Sequence, residues 1–168
     1  ILVSQCFSDQ VLAIYKERLG CKVIGMPTAA FDTKEYSLGP PISERPIDIG
    51  YRMMPGPASF GHWEREDIAD AVSAAANGRY ITDISMRVED RFNAKGWKRF
   101  LQNCKTQLSV ASGGNIFELS DTTLMKSFEY TEKYPNATRE EIATTFPPKD
   151  EWVPLRTLSS RMVEAAAT

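Results

Sequence analysis

The chain carries a single histidine, His62, among its 168 residues. A zinc site built on several histidines is thereby excluded. A Ser-His-Asp triad would have to use His62, which stands in a Gly/Pro-rich stretch, and no nucleophile-elbow motif occurs elsewhere. Cysteine is scarce as well. Cys6, Cys21 and Cys104 are odd in number and lack metal or redox spacing, so they read as free thiols in a reducing, cytoplasmic compartment. No apolar run approaches the ~20 residues that span a bilayer, and there is no signal-peptide pattern. Excess charge of either sign is missing too: 20 basic against 22 acidic residues leave a net charge of −2. That balance gives no reason to expect nucleic acid or an anionic membrane as partner. Neither an Asp-x-Asp metal motif, nor a Walker A sequence, nor a complete Gly-x-Gly-x-x-Gly is present.

What is there is an ordinary globular composition, 42% hydrophobic and 25% charged, over a length that supports a real core. Apolar runs alternate with helical stretches. Ile1-Leu2-Val3 reads as a strand. Residues 9–19 read as a helix, with Val11, Leu12, Ile14, Tyr15 and Leu19 on one face and Gly20 at its stop. Residues 22–26 complete a βαβ unit. Residues 28–45 are punctuated by Leu38-Gly39-Pro40-Pro41 and Glu44-Arg45-Pro46 and read as an irregular connector. The pattern then restarts, with strands expected at 47–52, 80–84 and 107–110 and helices at 64–77, 93–104 and 122–134. A capping box at Thr138-Arg139-Glu140-Glu141 opens another short helix. This alternation, without hairpin turn signals between the strands at 47–52, 80–84 and 107–110, predicts an α/β fold. Its parallel sheet should be covered by helices on both faces, with ligands at the carboxyl ends of its strands. The expected organisation is a remnant of one domain at 1–27, a connector at 28–45 and a second domain at 46–168. The start without Met and the stop at Ala-Ala-Ala-Thr suggest a piece of a longer chain.

Several segments carry chemistry at that edge. Ile47-Asp48-Ile49-Gly50-Tyr51-Arg52 brings an arginine to a strand end, where it can face an anion. Met86-Arg87-Val88-Glu89-Asp90-Arg91 is a charged loop after the next strand, which makes Arg87 and Arg91 candidate phosphate or acceptor contacts. Ser112-Gly113-Gly114 reads as a small-residue loop whose N–H groups can form a nest for an oxyanion. Ser159 and Ser160 stand where a last helix begins. Arg161 and Glu164, three apart, share its face. The guanidinium can hold a phosphate and the carboxylate can accept from two neighbouring hydroxyls, which is the outline of a nucleotide diphosphate and its ribose. Each feature also has a plain reading as a capped surface helix, a turn or a solvated loop. Trp97, Phe100 and Trp152 read as core or interface residues.

Taken in order, Arg45–Arg52, Asp83-Ile84-Ser85 with Glu89-Asp90-Arg91, Trp97 to Lys105, Ser112 to Glu118, and Ser159-Ser160-Arg161-Met162-Val163-Glu164-Ala165 form a series. It resembles a bacterial family of glycosyltransferases with the two-domain GT-B fold, linked to surface-polysaccharide synthesis. Met26-Pro27-Thr28-Ala29-Ala30-Phe31-Asp32 is similar to the segment that leaves the first Rossmann-like domain of such enzymes. The resemblance implies that residues 46–168 are a nucleotide-sugar-binding domain, incomplete at its end, with the partner domain in cis largely missing. It implies that Glu164 holds the ribose, that Arg161 with Ser159 and Ser160 holds the diphosphate, and that Arg52, Ser112, Gly113 and Gly114 line the same cleft. The donor would be a nucleotide-diphosphate-sugar and the acceptor a glycan, with no metal or other cofactor. The catalytic residue is not implied. The chain departs from the family pattern at Gly113-Gly114, where Gly-Ala is usual, at Glu118, where Asp is frequent, and at Ser160, where Pro is favoured. A non-catalytic nucleotide- or sugar-binding module and an interaction domain with a vestigial cleft are the alternatives.

Overall fold

The computed structural model describes residues 1–5, 8–26, 32, 34–54, 63–150 and 152–168. His62, Cys6, the 27–31 part of the Met26–Asp32 resemblance and the proline-rich break at 55–57 lie outside them. The chain is mixed α/β and divides into two compact units, one comprising residues 1–28, 56–63 and 111–157, the other 29–55, 64–110 and 158–168. The stretch 46–168, read from the sequence as one domain, is thus shared between both units.

The first unit begins with β1 (Leu2–Ser4), α1 (Asp9–Leu19) and β2 (Val23–Gly25). The two strands pair in parallel, Leu2 opposite Val23. Val11 is the fully buried residue of α1, and Gly20 ends the helix at φ 60°, its N–H bonded to the Lys16 carbonyl. The unit continues with β6 (Ser112–Phe117), α4 (Thr122–Lys133), α5 (Arg139–Thr145) and β7 (Val153–Thr157). At the start of α5 the expected capping box is complete: Thr138 Oγ1 accepts from the Glu141 N–H, and Glu141 Oε2 accepts from the Thr138 N–H at 2.7 Å.

β6 corrects the sequence reading. Ser112-Gly113-Gly114 is not a loop at a sheet edge but the start of a strand that pairs antiparallel with β7. The register shifts by one residue between Gly113 (opposite Arg156) and Ile116 (opposite Pro154), which marks a bulge. Small residues tolerate the bulge, and a proline is tolerated where ladder bonding is interrupted. The β-formers Ile116 and Phe117 then supply the strand, Phe117 meeting Tyr15 edge-to-face at 5.5 Å.

The second unit holds a parallel sheet of β3 (Ile47–Arg52), β4 (Thr82–Ser85) and β5 (Cys104–Gln107) in the order β4-β3-β5, with α2 (Glu64–Ala76), α3 (Ala94–Asn103) and α6 (Ser160–Ala166). Ile49 stands opposite both Thr82 and Thr106. The chain steps from β3 out to β4, then back across β3 to β5. With crossovers of the usual right hand, that route puts α2 and α3 on opposite faces. Side-chain alternation agrees: Gly50 and Arg52 face Phe100 of α3, which turns Tyr51, 1% exposed, to the other face.

The third strand lies three residues earlier than the expected 107–110, and Cys104 opens it instead of closing the preceding helix. β5 is an edge strand. Its exposed Thr106 and its Lys105, bonded through Nζ to Asp48 at 2.7 Å, gave it a polar sequence that hid the strand. Of the expected connector, the described part carries a single 3₁₀ turn, Ile42–Glu44, and no α-helix.

Candidate functional site

β3, β4 and β5 end at Arg52, Ser85 and Gln107, so these residues define the carboxyl edge of the parallel sheet. Two adjoining cavities open there, both within the second unit. One, of about 250 Å³, is lined by Arg52, Ser85, Arg87, Arg91, Ser160, Arg161 and Glu164 together with Met53, Met54, Phe92 and Trp97. The other, of about 200 Å³, is more apolar, with Leu101, Leu108, Met162 and Ala165 in its wall. Arg52, Trp97 and Arg161 border both.

Arg52 is built into the sheet. Its side chain is 14% exposed, pairs with Asp83 Oδ1, and donates to the carbonyls of Asp83 at 2.9 Å and Tyr51 at 3.0 Å. The guanidinium also lies over the rings of Phe92 and Phe100, 5.2 and 4.9 Å from their centroids. Arg52 therefore forms wall and field more than a free ligand contact.

Arg161 comes from α6. Its Nη1 donates to the Arg52 carbonyl and to Met53 Sδ, and its guanidinium stacks on Trp97 at 5.3 Å. Burial pulls its pKa below the usual arginine value, while the negative charge of Glu164 offsets part of that. Among the described residues no carboxylate lies within ion-pairing distance of it.

Glu164, one turn on, accepts a hydrogen bond from Trp97 Nε1 at 2.8 Å. Tyr36 is a neighbour: burial first, then the Glu164 charge, raises that phenol's pKa.

The loop after β4 folds into a 3₁₀ turn, Val88–Asp90. Ser85 Oγ donates to Asp90 Oδ2 at 2.6 Å, and Arg87, largely exposed, sits 3.7 Å from Glu89 and 3.6 Å from Asp90. Those contacts, led by the Ser85 bond, hold the Asp90 carboxyl below its usual pKa. Arg91 has no recorded ion-pair partner among the described residues.

No protein-family model, curated protein or solved structure matches this chain.

Six of the residues singled out from the sequence thus line one cavity: Arg52, Arg87, Arg91, Ser160, Arg161 and Glu164. Ser159 does not. It is 4% exposed at the N-cap of α6, and its side chain makes no capping bond. Ser112, Gly113 and Gly114 belong to β6 in the first unit. Two residues beside Glu164 escaped the sequence reading. Tyr36 sits in what read as connector and leaves no local signal. Trp97 read as core or interface, although an indole N–H shielded from water needs an acceptor and so points to a polar neighbour. Among the described residues no group of three potential metal ligands occurs, and no helix is long and apolar enough to cross a membrane.

Proposed function

We propose that the second unit binds a nucleotide-diphosphate-sugar and that the chain is the donor-binding part of a glycosyltransferase of GT-B type. The observation that carries this is the convergence of Arg52, Arg87, Arg91 and Arg161 with Glu164 in one cavity at the carboxyl edge of a parallel sheet, from three separate stretches of sequence. Arg161 and Arg91 suit the diphosphate, with Arg87 at its rim. Glu164 suits the ribose hydroxyls, and the adjoining apolar cavity suits a base. In the transfer, the bond from the anomeric carbon to the diphosphate oxygen breaks and its electron pair leaves with the diphosphate. The acceptor hydroxyl bonds to the anomeric carbon and gives up its proton to solvent water. The arginines stabilise the charge that builds on the leaving group.

One observation favours a second reading, a nucleotide- or sugar-binding module without turnover. Among the described residues Glu164 is the only acidic one in the cavity wall, and its carboxylate is already engaged by the Trp97 N–H, which leaves no unengaged carboxylate there to take the acceptor proton.

Calorimetric titration with a panel of nucleoside diphosphates tests the binding claim. Glu164→Ala should weaken the best ligand by about ten- to a hundredfold, the worth of a charged hydrogen bond, and lower the melting temperature because the Trp97 N–H loses its acceptor. Unchanged affinity would leave the Glu164 carboxylate to its bond with Trp97 and take it out of ligand recognition. Release of free sugar or transfer to an acceptor separates the two readings.

A further inference from the structure

Glu164 does not stand free in the cavity. Its Oε2 accepts from Trp97 Nε1 at 2.8 Å, and its charge reaches the Tyr36 phenol. The two residues come from separate stretches of the unit's sequence. Tyr36 precedes β3, while Trp97 is in the first turn of α3. Each is itself fixed. The Trp97 ring packs on Phe100 at 5.6 Å and under the Arg161 guanidinium at 5.3 Å. Tyr36 lies under the Lys98 ammonium at 5.5 Å, and Lys98 pairs with Glu35 at 3.3 Å. A solvent-exposed glutamate samples many rotamers at a cost in entropy when it must point one way. A carboxylate held by an anchored donor keeps one orientation, and its remaining lone pairs stay directed for a ligand.

We propose that Trp97 is a positioning residue that orients the Glu164 carboxylate for recognition of a sugar diol. The inference rests on the functional reading above. It gives that reading a specificity device: an indole N–H that sets which oxygen of Glu164 faces the ligand. Trp97 has a second effect through its ring, which supports Arg161, so the two effects need separating. Trp97→Phe keeps an aromatic ring beneath the guanidinium and removes the N–H together with the five-membered ring that carries it.

The experiment measures three affinities by calorimetry for wild type and Trp97→Phe. The ligands are the tightest nucleoside diphosphate of the panel, its 2′-deoxy form, and inorganic pyrophosphate. Wild type should prefer the ribonucleotide over the deoxynucleotide by about tenfold or more, the worth of a charged hydrogen bond. Trp97→Phe should lower that ratio at least threefold and leave pyrophosphate affinity within twofold of wild type. A merely structural role for Trp97 would lower all three affinities together and keep the ratio. A ratio unchanged in the variant overturns the proposal while leaving the nucleotide reading in place. Wild type that binds no nucleoside diphosphate overturns that reading, and the proposal falls with it. Should Trp97→Phe not fold, Trp97→Met, which also lacks the N–H, gives the ratio readout alone.

Discussion

At the scale of residues, Gly50 decides how closely α3 packs on the sheet. A Cβ there would stand 2.4 Å from Cys104 Sγ, 2.6 Å from Gln107 Nε2 and 2.9 Å from Phe100 Cζ. No side chain fits without moving the two strands or the helix. Gly50→Ala should therefore cost about 1–3 kcal/mol by overpacking, read as a lower urea midpoint with the slope unchanged. A stability equal to wild type would show that the strand and helix yield freely. The sulfur that presses on Gly50 is itself sealed. Burial, with the nearby Asp83 charge adding to it, pushes the Cys104 thiol up to about 12. At pH 8 that thiol is protonated and a poor nucleophile. Mass spectrometry after brief treatment with a thiol reagent should find Cys21 modified and Cys104 intact. Modification of Cys104 at the rate of Cys21 would contradict the burial described for it.

Elements show where sequence signals suffice and where they fail. The α1 helix was legible from its apolar face and Gly20 stop, and α5 from its capping box. The strand β5 was misplaced by three residues because an edge strand can be polar, and β6 was hidden because two glycines read as a turn. The start of α4 shows a subtler substitution. Asp121 occupies its N-cap at φ 51° and makes no side-chain capping bond. Glu118, its side chain 7% exposed, does that work from three residues upstream. Its Oε2 accepts the Thr123 N–H at 2.7 Å, while Oε1 takes Thr123 Oγ1 at 2.6 Å and Lys149 Nζ at 2.8 Å. Burial alone would raise the carboxyl pKa, but the bonds from Lys149 and Thr123 outweigh it and hold it at about 2, against an ordinary 4.5. A carboxyl whose pKa falls on folding stabilises the fold in its ionised form. The contribution is complete above about pH 4.5 and drains away as pH falls toward 2. Glu118→Gln should therefore lower the urea midpoint at pH 6 and differ less from wild type at pH 3. A stability gap that stays constant with pH would assign the loss to packing.

For the whole molecule, the sequence conveyed the mixed α/β character and most of the residues that meet in the candidate site, because strand ends and the loops after them can be counted from periodicity. It did not convey where the two units divide, since residues 111–157 and 158–168 separate without a break in composition. Nor did it convey Tyr36, which only the chain path brings within reach of the Glu164 charge. The central claim is that the cavity edged by Arg52, Trp97, Arg161 and Glu164 takes a nucleoside diphosphate. The chain has three tryptophans, so their indole N–H signals in a proton–nitrogen correlation spectrum form a small set of site-specific reporters. The Trp97 signal is assigned by its loss in Trp97→Phe, and its N–H lies on the Glu164 carboxylate. Titration with the tightest nucleoside diphosphate should shift the Trp97 signal in proportion to binding and leave that of Trp152, which belongs to the other unit, in place. A saturating titration that leaves the Trp97 signal unmoved, or that moves only Trp152, would contradict the account.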